Sequence, residues 1–246
     1  GSKKINDETH RERRVESLLL EVSHGITSNW SVSSLLSFVK HRRQIGISEG
    51  GVSNASGLGD GVVLIKYTPR RLGMVNRFAY SLGVGLRLPL GENTQTQDGL
   101  LLSEDMQPGS GAQGYVLWAY AVRSFSAQGL TQAFSGFNVS LNGENSRQYQ
   151  FGNEQNMNIG LAFQSEFPVS LSVALQVRNS QADRRFASTV PNTGGYWLDL
   201  MPVVQYKLTQ QWALRFSSRL PLHRKLNGAL QFTSSEVYTL GVSVQY

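Results

Sequence analysis

The stretch that decides the fold is Tyr238-Thr239-Leu240-Gly241-Val242-Ser243-Val244-Gln245-Tyr246. Tyr238, Leu240, Val242, Val244 and Tyr246 fall on one side; Thr239, Gly241, Ser243 and Gln245 fall on the other. Successive side chains of a strand point to opposite faces, so this period of two reads as a β-strand with one apolar face and one small or polar face.

Working backwards, the alternation recurs. Trp212, Leu214 and Phe216 oppose Ala213, Arg215, Ser217 and Arg219, and Tyr196 through Leu208 alternate with Asp199, Met201, Gln205 and Lys207. Val169, Leu171, Val173, Leu175 and Val177 face away from Ser170, Ser172, Ala174, Gln176 and Arg178, and Met157 to Phe163 from Asn158, Gly160, Ala162 and Gln164. Phe137, Val139 and Leu141 lie opposite Gly136, Asn138 and Ser140. Val116, Trp118, Tyr120 and Val122 are assigned to the apolar face, and Leu117, Ala119, Ala121 and Arg123 to the other. The even positions from Phe78 to Leu88 oppose Ala79, Ser81, Gly83, Gly85 and Arg87. Val63, Ile65 and Tyr67 oppose Leu64, Lys66 and Thr68. Trp30, Val32, Leu36 and Phe38 share a face, as do Leu18, Leu20 and Val22, although Leu19 and Leu35 break the pattern.

Composition decides what such strands are for. The chain has 246 residues, 40% hydrophobic and only 16% charged, with a mean hydropathy of -0.25. No run reaches the roughly 18 apolar residues that a membrane helix needs. A soluble barrel or sandwich also alternates, but its outer face carries dense charge. Here the polar face is rich in Gly, Ala, Ser and Asn and suits a watery interior, while the Leu, Val, Tyr, Trp and Phe of the other face suit lipid. The expected fold is all-β: an antiparallel transmembrane β-barrel of the bacterial outer membrane, multi-pass and in contact with outer-membrane lipid. The connections agree. Those near 27–29, 70–77, 126–131, 165–168 and 208–211 are short, and those near 41–59, 91–113, 143–155, 179–195 and 223–235 are long and polar, in strict alternation.

Eleven strands are visible. If the last ends in the periplasm, the first runs down toward it, and residues 1–13, too polar to cross a bilayer, lie on the extracellular side. Single-chain bacterial barrels have even strand numbers, so twelve are expected in the intact protein. The domain expectation is thus a polar segment over 1–13 and a barrel over 14–246.

Other chemistry is excluded or left empty. Cysteine is absent, so disulfides and thiolate metal sites are excluded. The net charge of +6 is dispersed rather than gathered with aromatics, which argues against nucleic acid. His10, His24, His41 and His223 are far apart, and no nucleophile elbow or metal-binding helix pair occurs, so no catalytic residue, metal or cofactor is assigned and an enzyme is not expected. Ser56 to Gly61 is glycine-rich but precedes a strand, and reads as a flexible loop entering it.

Parity assigns Glu21, Asp60, Lys66, Arg87, Arg123, Arg178, Asp199, Lys207, Arg215 and Arg219 to the lumen: seven cations against three acids, an excess that favours anions or acidic segments. It assigns Trp30, Tyr67, Phe78, Tyr196, Tyr206, Trp212, Tyr238 and Tyr246 to aromatic girdles at the lipid boundaries.

Ser56-Gly57-Leu58-Gly59-Asp60 followed by Lys66-Tyr67 resembles the signature of a barrel family named after a phenol-degradation pathway protein, which includes the channels that secrete functional-amyloid subunits. Pro202, Tyr206, the turn near Thr209, Trp212 and Pro221 resemble that family's penultimate hairpin, and the chain's aromatic terminus resembles the end strand by which outer-membrane proteins are recognised for insertion. The resemblance spans roughly residues 15 to 246. It implies a twelve-stranded transport channel whose partner is an exported polypeptide such as an amyloid subunit. The alternatives are uptake of small hydrophobic or aromatic solutes, or an outer-membrane scaffold or enzyme. Self-association into a homo-oligomer stays open.

Overall fold

The computed structural model describes residues 11–46, 51–69, 77–125, 130–164, 167–228, 231–233 and 235–245. Tyr246, His10 and nearly all of the polar amino-terminal segment lie outside the described residues. The wall strands are β1 (Glu12–Gly25), β2 (Trp30–Gln44), β3 (Val52–Leu58), β4 (Gly61–Tyr67) and β5 (Phe78–Leu88). After two short strands, β6 (Thr96–Gln97) and β7 (Leu100–Leu101), the wall continues with β8 (Gly114–Ser124) and β9 (Thr131–Asn142). β10 (Tyr149–Gln150) lies in a loop, followed by β11 (Glu154–Gln164) and β12 (Val169–Ser180). The loop strands β13 (Arg184–Arg185) and β14 (Ser188–Thr189) precede β15 (Gly195–Lys207), β16 (Trp212–Leu226) and β17 (Val237–Val244).

One curled antiparallel sheet runs β1-β2-β4-β5-β8-β9-β11-β12-β15-β16-β17, with β3 also on β2. β3 and β4 are successive parts of one wall position, interrupted at Gly59 and Asp60, so eleven positions are filled, as the alternation predicts. Each strand pairs with its sequence neighbours, the up-and-down order that short hairpins permit. Among the described residues no ladder joins β1 to β17.

The burial is that of a membrane barrel, with apolar residues outside. Leu82 is 52% exposed, Val84 60% and Leu240 77%, all on the outer face. In water such a continuous apolar surface would be far beyond what a soluble monomer shows; facing hydrocarbon it is stabilising. The small buried cluster of Ala55, Leu102 and Met106 is not inside the wall but between the wall and a loop.

Three expectations are corrected. The boundary at 13/14 falls inside a strand, because Glu12 and Arg13 pair with Gln44 and Arg43. The loop expected over 41–59 is mostly strand: pairing continues to Gln44↔Val52, and Ser56, Gly57 and Leu58 are ladder residues rather than a flexible lead-in. The face of β8 is reversed, and with it the placement of Arg123. Cross-strand partners share a face, and Arg123 faces Phe78 while Trp118 faces Gly83 and Tyr120 faces Gly136. The aromatic residues of β8 therefore point inward, where glycines of the flanking strands leave room, and Arg123 is an exposed outer-face residue.

Two of the tight turns share one device. Thr27 Oγ1 accepts from the backbone N–H groups of Asn29 and Trp30 at 3.3 and 3.1 Å. Thr209 Oγ1 does the same for Gln211 and Trp212 at 3.1 and 3.0 Å. A hydroxyl that satisfies the reversing backbone fixes a short turn and sets a tryptophan at the first position of the next strand.

Candidate permeation pathway

The inner faces of β8 to β16 border a partly open cavity of about 750 Å³, within the roughly 300–1,000 Å³ of small-molecule sites. Among the described residues its cations are Arg178, Lys207, Arg215 and Arg219, and Glu154 is its one acid. Glu154 is occupied by Arg178, at 3.5 Å, and the Arg178 guanidinium also lies 3.8 Å from the ring centre of Trp197. Lys207, Arg215 and Arg219 are different: among the described residues no salt bridge reaches them. Arg215 stands opposite Gln205, and Lys207 opposite Ala213, so these inward neighbours supply no compensating carboxylate. Asp199 is on the same face of β15 but is buried, at the β-bulge between Leu198 and Asp199, where Pro221 and His223 take successive partners and Leu222 is left over.

Facing inward on β8 and β9 are Trp118, Tyr120 and Phe134. The Trp118 and Tyr120 rings are nearly parallel, 11° apart with centroids at 6.1 Å, and Phe134 continues the series at 6.4 Å and 26°. Lys66 reaches to 5.5 Å from the Trp118 ring, a cation–π contact. Most of the remaining polar lining is carboxamide and serine, including Asn156, Asn158, Gln176 and Gln205.

The long-loop end over β1 to β5 is filled. Residues 89–113, which link β5 to β8, fold inward. At their base Gly109 N–H donates to Glu92 O at 2.9 Å, and the backbones approach so closely that a Cβ on Gly91 would sit 2.6 Å from Gly109 Cα. The β6–β7 hairpin turns on Asp98 and Gly99, both with positive φ (53° and 76°), the pattern of a type I′ turn. A 3₁₀ turn at Glu104–Met106 follows, with Met106 fully buried. Pro108 packs beside inward-facing Gly57, where a Cβ would meet its Cγ at 3.3 Å.

Ion pairs hold this loop on both flanks. Asp105 accepts from Arg13 at 3.1 Å and from Arg43 at 3.4 Å, both on the inner faces of β1 and β2. Glu104 accepts from Arg147 Nε at 2.8 Å and Nη2 at 2.5 Å, a bidentate pair. This hydrogen bond is the main reason the Arg147 guanidinium is held above its ordinary pKa. In the neighbouring loop Tyr149 donates to Asp183 at 2.5 Å; burial first, and then that bond, push its phenol pKa upward.

The residues assigned to the lumen from the sequence therefore separate. Arg178, Lys207, Arg215 and Arg219 line one cavity, Asp199 shares their face, and Lys66 leans toward them over Trp118. Arg87 is on the inner face but bonded to Asn142 Oδ1 at 2.6 Å. Asp60 accepts from Ser110 N–H and Oγ–H, the latter at 2.5 Å, and so anchors the inward loop at the β3–β4 break. Glu21 is across from Leu35 on the inner face of β1. Arg123 is outside. Of the aromatics assigned to girdles, Trp30 and Tyr67 pack across strands at 4.9 Å. Phe78, Tyr206, Trp212 and Tyr238 are exposed, and Tyr196 lies on the outer parity of β15. Periodicity missed the lumenal Trp118, Tyr120 and Phe134; the inward glycines Gly83 and Gly136 were the signal that bulky neighbours fit there. Nothing in the alternation marked Glu104, Asp105 or Arg147.

No protein-family profile and no curated protein sequence matches this chain. Among solved structures, the crystal structure of an outer membrane channel from Pseudomonas putida F1 aligns with a TM-score of 0.71 and 13% identity, over 96% of this chain and 85% of that one. The NanC porin aligns with a TM-score of 0.50, also at 13% identity, over 96% of this chain and 97% of its own. Similarity at this level carries the fold and not the solute: the chain has the antiparallel β-barrel architecture of outer-membrane channels and porins.

Proposed function

We propose that this chain is an outer-membrane transport channel whose lumen favours anions. The observation that carries the reading is the group Lys207, Arg215 and Arg219, on one face of two adjacent strands, lining the cavity with no salt bridge among the described residues. In a narrow passage with low-dielectric walls, uncompensated cations raise the local anion concentration, and salt screens the effect.

Of the two transport readings suggested by the family resemblance, the cavity favours small solutes. An extended polypeptide needs a clear bore, and residues 89–113 fill one side of it, held by Arg13, Arg43 and Arg147. Export of a polypeptide such as an amyloid subunit is the second reading; it requires that loop to be displaced. The supports for a channel rather than an enzyme or scaffold are the barrel fold shared with channels and porins and the charged cavity inside it. The full chain in planar bilayers under a salt gradient should give a reversal potential of anion-selective sign that weakens as total salt rises. Cation preference at low salt overturns the proposal.

A further inference from the structure

The same cavity has a second character besides charge, and three of its features together specify a ligand. The first is the basic group Lys207, Arg215 and Arg219. The second is the series of near-parallel rings of Trp118, Tyr120 and Phe134, spaced at 6.1 and 6.4 Å. The third is the lining between them, in which seven carboxamides occur, among them Asn156, Asn158 and Gln176. We infer that the cavity is a binding station for acidic saccharides, a reading that rests on the lumen being an anion path.

Each feature takes a different part of such a molecule. A sugar carboxylate pairs with the guanidinium groups, which present planar forked donors to it. The C–H faces of the pyranose ring are apolar and lie against aromatic rings, removing both from water. The equatorial hydroxyls donate to and accept from carboxamides, which offer both functions on one side chain. The competing ligands leave a feature unused. An inorganic anion ignores the rings, an aromatic carboxylate has few hydroxyls for the amides, and a neutral sugar has no charge for the basic group. The two successive ring spacings also extend beyond a single ring, so a disaccharide is the better probe.

The experiment uses the full chain in planar bilayers, with digalacturonate, cellobiose or benzoate added to one side and transient blocks of the current counted. Digalacturonate should block at concentrations where cellobiose and benzoate do not, and Trp118→Leu should weaken that block by about tenfold, the loss of one aromatic contact. Phe134→Leu is the second variant, and heat-modifiable gel migration reports whether each has folded. Equal block by benzoate or by cellobiose overturns the inference, as does a digalacturonate block that neither substitution weakens. Anion preference in the unmodified channel with no digalacturonate block removes this inference alone. Loss of anion preference itself removes the transport reading beneath it.

Discussion

The two sides of the lumen carry similar inward cations and use them differently. On the β1–β5 side, Arg13 and Arg43 face Asp105, and at that loop's far flank Arg147 faces Glu104. On the β8–β16 side, Lys207, Arg215 and Arg219 face open volume. What differs is a loop. Residues 89–113 bring two adjacent carboxylates into the first half and pair its arginines, and no loop among the described residues reaches the second with an acid. Cations within a barrel thus become either fasteners or a field, depending on whether a connection folds over them. The comparison also explains why the cavity is off-centre: the filled half leaves the passage against β8 to β16.

The largest expected effect breaks the open half. Arg215→Glu with Arg219→Glu replaces two positive groups by two negative ones, a change of four charges along one strand of the bore. It should reverse the sign of the ion preference in a salt gradient. An unchanged reversal potential would show that these side chains do not border the conducting path. A smaller effect is expected from unfastening the filled half. Glu104→Gln with Asp105→Asn removes the acceptors' charge from these hydrogen bonds, whose charged form contributes on the order of 1.5–3 kcal/mol each. Faster hydrogen exchange over 94–107 and a higher single-channel conductance should follow, with anion preference strengthened because Arg13, Arg43 and Arg147 lose their countercharges. A conductance that stays the same would mean the loop does not limit the passage. The smallest effect should come from Arg123→Gln. Its side chain is on the outer face, opposite Phe78, so neither conductance nor selectivity should change measurably; a shift toward cations would return it to the lumen.

Much of this architecture is legible in the chain, and the reason is local. In β17 from Tyr238 onward every outer residue is large and apolar and every inner one is small or polar, so parity alone orients it. In β8 both faces are apolar: Tyr115 and Leu117 outside, Val116, Trp118 and Tyr120 inside. Alternation then leaves the sign undetermined. The ladder resolves it, because register ties Trp118 to Gly83 and Tyr120 to Gly136. Room for a large inward ring is a property of three strands together. The β3–β4 stretch shows the same limit. Its glycines suggest a loop, yet Gly57 pairs with β2 and Gly61 with β5, and Gly57 is small because Pro108 of a distant segment rests against it.

The sequence by itself determined the class of fold, the order of short and long connections, and the charge available to the interior, because a strand's faces follow from residue spacing and a barrel's neighbours follow from chain order. Tertiary structure alone decided which cations are free. Whether Arg43 or Arg215 keeps its charge for a solute depends on the path of residues 89–113, which is set by a glycine contact at 91 and 109, a buried methionine and three arginines from separate elements. Those contacts join residues far apart along the chain, and no periodicity in one segment encodes where another segment comes to rest.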